Sequence, residues 1–242
     1  MPIVTPRRIG ILGGMGPQAT VLLMDKLIAA VPAADDRDHI PLIVDQNTQV
    51  PSRIRRLIEG TGDDPEPVLV EMARRLEQAG AEALAMPCNT THHYAGAIAA
   101  SVRIPMLSLV EVSVERARAL AVEGDGRIGI IASPAVRITG LFDAPLRAAG
   151  LTPVYPADEV AVLDAIRRIK AAGVDDEARR AMRRASAQLR ADGVQVQMVA
   201  CTELSLIVSE CDAGSVAFDT LDALVDAIKA FALRQGPPLD VL

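Results

Sequence analysis

The 242-residue chain contains no tryptophan, two tyrosines and three phenylalanines. So sparse an aromatic set leaves no platform on which nucleobases could stack. Basic charge is not in excess either. There are 25 lysines and arginines against 31 aspartates and glutamates, a formal net charge of −6, so a polyanion-binding footprint is missing. No nucleic-acid partner is expected. Long hydrophobic runs are also absent. Stretches such as Ala95 to Ala100 and Met198 to Cys201 fall far short of the ~20 residues that span a bilayer, so no membrane partner is expected. Three cysteines cannot all pair within one chain, and their spacing matches no disulfide framework. Reduced thiols follow. The N-terminal residues run into a strand pattern without a basic-then-apolar leader, which makes a cytoplasmic location the expectation.

Half of the residues are hydrophobic and 23% are charged, a balance that supports a sizeable core. At roughly 100–200 residues per domain, the length fits one large domain or two small lobes. Internal similarity favours two lobes. Arg8-Ile9-Gly10-Ile11-Leu12 recurs as Arg127-Ile128-Gly129-Ile130-Ile131, and Leu76, Gly80 and Cys88 keep the same intervals as Leu189, Gly193 and Cys201. In each copy a charged helix ends at the glycine, a C-cap signal. A short strand then delivers the cysteine at its end, Ala81 to Pro87 in one copy and Val194 to Ala200 in the other. Further strands are predicted at Pro41 to Gln46, Ile104 to Leu109, Thr152 to Tyr155 and Val216 to Asp219, and a last helix at Leu221 to Leu233.

Alternating strands and helices imply an α/β fold: two pseudosymmetric three-layer lobes with parallel sheets and an active-site cleft between them. Ligands in such folds bind beyond the carboxyl ends of the strands, where both cysteines fall. The expected division places residues 1–110 and 217–242 in the N-terminal lobe and residues 111–216 in the C-terminal lobe. The loop from Gly60 to Pro65 reads equally as a cleft loop or a surface turn.

Cys88 and Cys201 carry the chemistry of this reading. A free thiol of pKa near ~8.5 is only about 3% ionised at pH 7, and half ionisation requires roughly 2 kcal/mol of stabilisation. A helix N-terminus contributes ~0.3–1 kcal/mol, up to ~2 when partly buried, and charge-assisted hydrogen bonds add to it. Asn89, Thr90 and Thr202 stand where those bonds are expected. Two thiols approaching one cleft from opposite sides suit inversion of a carbon stereocentre, in which a thiolate removes a proton from one face and a thiol returns one to the other. Either cysteine alone would read as a small core residue. The matched position in the repeat changes that weighting. Cys211 has no counterpart in the first half and reads as a bystander.

Three stretches together resemble the aspartate/glutamate racemase superfamily, in its aspartate racemase branch. They are Gly10 to Thr20 (GILGGMGPQAT), Met86-Pro87-Cys88-Asn89-Thr90 followed by His92, and Ala200-Cys201-Thr202-Glu203. The resemblance implies a two-lobed fold, a homodimer, no cofactor and no metal, with Cys88 and Cys201 as opposed proton acceptor and donor on a small amino-acid substrate. It further implies that Asn89 and Thr90 bind the substrate α-carboxylate, that Met15 and Gln18 border the pocket, and that Arg53 grips a side-chain carboxylate. Two segments differ from the aspartate-specific pattern. Ala132-Ser133-Pro134-Ala135-Val136 lacks a hydroxyl at Val136, for which Ser133 is the expected substitute. The segment Pro156 to Ala161 lacks the lysine found there in aspartate-specific members, so no second cation is expected for the substrate side chain. Aspartate, glutamate and a broader amino-acid range therefore all fit.

Other readings use the same residues. Gly14-Met15-Gly16-Pro17-Gln18-Ala19 matches a dinucleotide fingerprint, with Asp45 where a ribose-binding acid would sit, as in an NAD-dependent oxidoreductase. The bland role of these glycines is a tight turn. A metal could be drawn from Cys88, His92 or His93, and Cys201, since Cys88 and His92 are one helical turn apart. That site would consume the bases the repeat supplies. Lys26, Lys170 and Lys229 lie in helix patterns rather than at strand ends, leaving no Schiff-base lysine for a pyridoxal enzyme. A related two-cysteine isomerase of maleate or hydantoin type, and a non-catalytic small-molecule binder, complete the alternatives. Glu203 is read either as orienting a thiol or as capping its helix, and the run Arg179-Arg180-x-x-Arg183-Arg184 as a solvated helix face.

Overall fold

In the computed structural model, which describes residues 6–121 and 124–233, strands and helices alternate along the chain. The first run is β1 (Ile9–Gly13), α1 (Pro17–Ala30), β2 (Leu42–Gln46), α2 (Glu66–Gln78), β3 (Ala83–Ala85), α3 (Ala95–Ala100) and α4 (Leu109–Leu120). The second is β4 (Arg127–Ala132), α5 (Pro134–Ile138), α6 (Asp143–Ala148), β5 (Thr152–Val154), α7 (Glu159–Ala172), α8 (Asp176–Ala191), β6 (Val196–Ala200), β7 (Val216–Asp219) and α9 (Thr220–Ala232). The outermost parts of the expected N-terminal lobe, residues 1–5 and 234–242, lie outside the described residues.

Both sheets are parallel, with strand orders β2-β1-β3 and β5-β4-β6-β7. The shared β2-β1-β3 and β5-β4-β6 pattern is the repeat seen in the sequence. The expected strand from Ile104 to Leu109 is reduced to a single bridge between Leu84 and Met106. Leu84 N–H donates to Pro105 O at 2.8 Å and Leu107 N–H to Leu84 O at 2.8 Å, but Pro105 has no N–H with which to continue the ladder.

The recurring residues touch one another, which explains why they recur. A Cβ added at Gly10 would lie 2.9 Å from Ala81 Cβ and 3.1 Å from Leu76 Cβ, and one at Gly129 would lie 2.9 Å from Leu189 Cδ1. The glycine in each first strand thus admits the end of the helix that precedes the cysteine strand. Gly80 (φ 93°) and Gly193 (φ 81°) end those helices in the left-handed region. There Ala81 N–H returns to Leu76 O at 3.1 Å and Val194 N–H to Leu189 O at 2.9 Å, the hydrogen bond of a Schellman motif. The repeated arginine then covers the helix end. Arg8 Nη1 donates to Gly80 O at 3.2 Å, and Arg127 Nη1 to Asp192 O at 3.1 Å.

Alternation along the strands divides the core. Ile9, Ile11, Ala83 and Ala85 of one sheet and Ile128, Ile130, Met198 and Ala200 of the other join a single apolar cluster with side chains of α1, α4 and α9. The opposite faces pack separately, Leu12 and Leu84 under α2 and Ile131 and Val199 under α7 and α8. Each sheet is therefore covered on both faces, and the two lobes meet through their inner helices. Among the described residues no helix is long and apolar enough to cross a membrane. Three of the arginines of α8 are ion-paired: Arg179 and Arg183 both reach Glu210, and Arg180 reaches Glu177.

Candidate active site

Parallel strands end together, and the loops beyond β3 and β6 bring the two cysteines to one cavity of about 320 Å³. Cys88 and Cys201 are 6% and 7% exposed, each at the edge of a different outer core. A hydrogen bond from Thr202 Oγ1 to Pro87 O at 3.1 Å joins the two cysteine segments directly. A second link runs from Asn89 Nδ2 to Thr220 Oγ1 at 3.1 Å, and from that hydroxyl to Val199 O at 3.1 Å.

The helices that follow the cysteines are short 3-10 turns, Thr90–Tyr94 and Leu204–Glu210. They bring few aligned peptide dipoles to bear, so the large helix-end stabilisation expected from sequence is not the main influence. Side chains dominate instead. Thr91 Oγ1 donates to Cys88 Sγ at 2.9 Å, and Thr90 Oγ1 lies 3.5 Å from the same sulfur. Cys201 Sγ donates to Glu203 Oε2 at 3.1 Å. Burial pushes the Cys201 thiol well above its ordinary pKa, and the adjacent Glu203 carboxylate adds to the shift. This is opposite to the activation expected at that position. Of the bonds foreseen for the thiols only the long Thr90 contact is made, because Thr202 and Asn89 are spent on the interlobe links. Asn89 Oδ1 is buried without a partner among the described residues.

Glu203 therefore orients a thiol rather than capping a helix; its other oxygen pairs with Lys170 Nζ. Burial opposes the charge on Lys170, but the Glu203 carboxylate outweighs it and holds the ammonium above its usual pKa. Lys170 lines the cavity, which corrects the expectation that no second cation is present. In the aspartate-specific pattern the lysine stands just after β5. The fourteen residues of α7 instead carry one back to the cleft a few turns later. Ile166 and Lys170 both face the cavity, and their i, i+4 spacing on an otherwise exposed or core-facing helix is the signal that could have found it.

Arg53 also lines the cavity. Its Nη1 donates to Val50 O at 3.2 Å and Pro51 O at 2.8 Å, and Nη2 reaches Met15 O at 3.4 Å. Backbone carbonyls thus fix the plane of the guanidinium. Its Nε is buried with no partner among the described residues. Met15 and Gln18 border the same space from the β1–α1 turn. Ser133 is there too, its Oγ accepting from Ala135 N–H at 3.4 Å at the start of α5. Val136 is fully buried in the shared core and does not line the cavity, so its missing hydroxyl is not a gap in the site.

Packing accounts for the glycine-rich turn. A Cβ on Gly14 (φ 90°) would stand 2.4 Å from the Asn47 backbone, and one on Gly13 2.7 Å from Thr20. A Cβ on Gly16 would stand 3.3 Å from Glu203 Oε1, so the turn must pass close to the Lys170–Glu203 pair. Asp45, the ribose ligand of the alternative dinucleotide reading, is paired with Arg75 at 2.8 Å. His92 is equally committed. Its Nε2 accepts from Leu109 N–H at 3.2 Å, which leaves Nδ1 to donate to Cys88 O at 2.8 Å. Burial lowers its pKa to about 4. With both nitrogens occupied, the ring has no lone pair for the metal weighed in the sequence reading. Instead it positions the Cys88 backbone.

Comparisons with known proteins fit this geometry. The family model described as Asp/Glu/Hydantoin racemase matches residues 12–228. The chain is 33% identical over 111 residues to the broad specificity amino-acid racemase RacX of Bacillus subtilis, a stretch covering 44% of this chain and 48% of that protein. The match thus spans about half the length of that relative. Among solved structures, the Picrophilus torridus aspartate racemase superposes with a TM-score of 0.80 at 24% identity, covering 93% of this chain and 94% of that one. An aspartate racemase homologue from Pyrococcus horikoshii gives 0.73 at 21% identity, covering 94% and 100%. These likenesses establish the fold.

Proposed function

This chain belongs to the Asp/Glu/hydantoin racemase family, and from that premise we propose that it interconverts the enantiomers of an amino acid without a bound cofactor. One observation carries the reading: two thiols from the equivalent ends of two repeated units line one cavity, with their segments joined by the Thr202–Pro87 hydrogen bond. In the forward step, the sulfur of one cysteine, as thiolate, takes the Cα proton. The electron pair left on Cα delocalises into the substrate carboxylate, and the other thiol gives its proton to the opposite face. One proton enters and one leaves, and the two sulfurs exchange roles.

Arg53 supplies the carboxylate clamp in this reading. The backbone carbonyls of Val50, Pro51 and Met15 hold its guanidinium at the cavity wall. Lys170 gives the cavity a second cation, which supports an acidic substrate such as aspartate or glutamate. A broader range is the second reading. It is favoured by the engagement of Lys170 with Glu203, which reduces its demand for a substrate anion, and by the likeness to RacX. A homodimer belongs to the same proposal: Val21 and Ile28 stand 58% exposed on α1, and light scattering measures the outcome.

The test is a panel of amino acids in deuterated water, followed by NMR for Cα–H exchange and by optical rotation for racemisation. Wild-type protein is expected to do both on its substrate. Cys88→Ala and Cys201→Ala are each expected to abolish racemisation, while exchange persists on the one enantiomer whose Cα–H faces the remaining sulfur. Full racemisation by both single variants would refute the two-thiol mechanism.

A further inference from the structure

The two thiols occupy equivalent places in the repeat, but their hydrogen bonds have opposite polarity. At Cys88 the sulfur is an acceptor: the Thr91 hydroxyl donates to it at 2.9 Å. That hydroxyl is fully buried and its other neighbour is the sulfur of Met15 at 3.7 Å. At Cys201 the sulfur is a donor, and its proton is directed at Glu203 Oε2, 3.1 Å away. From this difference we propose that the resting enzyme is preset, with Cys88 as the base and Cys201 as the acid, and that Thr91 is the positioning residue that sets the Cys88 side.

A donor aimed at sulfur favours the anion, whereas an adjacent carboxylate favours the protonated thiol. Among the described residues no carboxylate hydrogen-bonds Cys88, whose polar side-chain contacts there are Thr90 and Thr91. His92, which holds the Cys88 carbonyl, is neutral because of its burial. Among the described residues the charged groups facing the cavity are Arg53, Lys170 and Glu203. Lys170 and Glu203 are paired with each other, and Glu203 touches only the Cys201 sulfur among the two. The Lys170 ammonium acts on both sulfurs and so does not by itself create the difference. Thr91 does, together with Glu203. Thr91 has no equivalent in the second half, where Cys201-Thr202-Glu203-Leu204 places an apolar residue at the matching position. The inference rests on the two-thiol reading but makes a separate claim about the enzyme before any substrate binds.

Competitive alkylation of the full-length protein with iodoacetamide, read by peptide mass spectrometry across a pH series, tests it without a substrate. Cys88 is expected to react at least about tenfold faster than Cys201 at pH 7. Thr91→Val keeps the shape and removes the donor. It is expected to slow Cys88 labelling about tenfold at pH 7, leaving Cys201 labelling unchanged, and Thr91→Ser is expected to restore the wild-type rate. Labelling of Cys201 before Cys88 in the wild type would overturn the preset state whether or not any variant folds. An unchanged Cys88 labelling rate in folded Thr91→Val would overturn the role of Thr91. A protein that labels as expected yet exchanges no amino-acid Cα–H would instead count against the racemase reading alone.

Discussion

Glu203 shows how one side chain serves three neighbours. Its carboxylate accepts from the Cys201 thiol, pairs with Lys170, and lies where the third glycine of the β1–α1 turn must pass. Because that carboxylate contributes to the upward shift of the Cys201 thiol, Glu203→Gln removes both a negative charge and the better acceptor. The thiol is then expected to ionise at lower pH, and Lys170, released from its partner, reinforces the change. Alkylation of Cys201 at pH 7 is expected to rise severalfold. An unchanged rate would mean that burial alone governs this thiol.

Whereas the thiols report on single contacts, the paired glycines of β1 and β4 report on how helices and strands fit. Gly10 faces the Cβ atoms of Ala81 and Leu76, which move only if the backbone moves. Gly129 faces the far end of Leu189, which can change rotamer. Gly10→Ala is therefore expected to destabilise the protein by about 1–3 kcal/mol, as overpacking does. Gly129→Ala is expected to cost less, partly offset by the ~0.4–1 kcal/mol gained from the stiffer unfolded chain. Urea unfolding of both variants measures the order. The sequence repeat would not distinguish them, since both positions are glycine in the same motif. What separates them is the flexibility of the atom each would meet.

Across the whole molecule, two buried groups oppose each other in acid. His92 has its pKa lowered to about 4 by burial, so between about 6.5 and 4 the unfolded chain binds a proton that the folded state refuses. Stability from this group is present above that window and is lost, by up to about 3 kcal/mol, as pH falls through it. Asp219 behaves in the opposite sense. Burial raises its pKa to about 6, so the folded state takes up a proton before the unfolded one does, and stability rises as pH falls from about 6 toward 4. Asp219 Oδ1 accepts from Ser205 Oγ at 2.8 Å and Leu221 N–H at 2.9 Å, contacts that an asparagine oxygen can keep. Asp219→Asn is thus expected to gain most relative to wild type above pH 6, with the gain fading by up to about 3 kcal/mol toward pH 4. Urea midpoints at pH 7, 6, 5 and 4 read this directly; a difference that does not vary with pH would mean that Asp219 does not titrate in this range.

The sequence by itself determined the two parallel sheets, the repeat that relates them and the pair of cysteines at their strand ends. Those features follow from periodicity, from glycine at helix ends and from intervals along the chain, all of which are local. Local signals also failed in identifiable places: Pro105 broke a predicted strand, and Lys170 returned to the cleft from a helix far along the chain. Only the tertiary structure decided what each sulfur touches. A thiol's proton depends on the donor or carboxylate within about 3 Å of it, and the contacts that bring Glu203 to Lys170, Thr202 to Pro87 and Asn89 to Thr220 join residues that no spacing in the sequence connects.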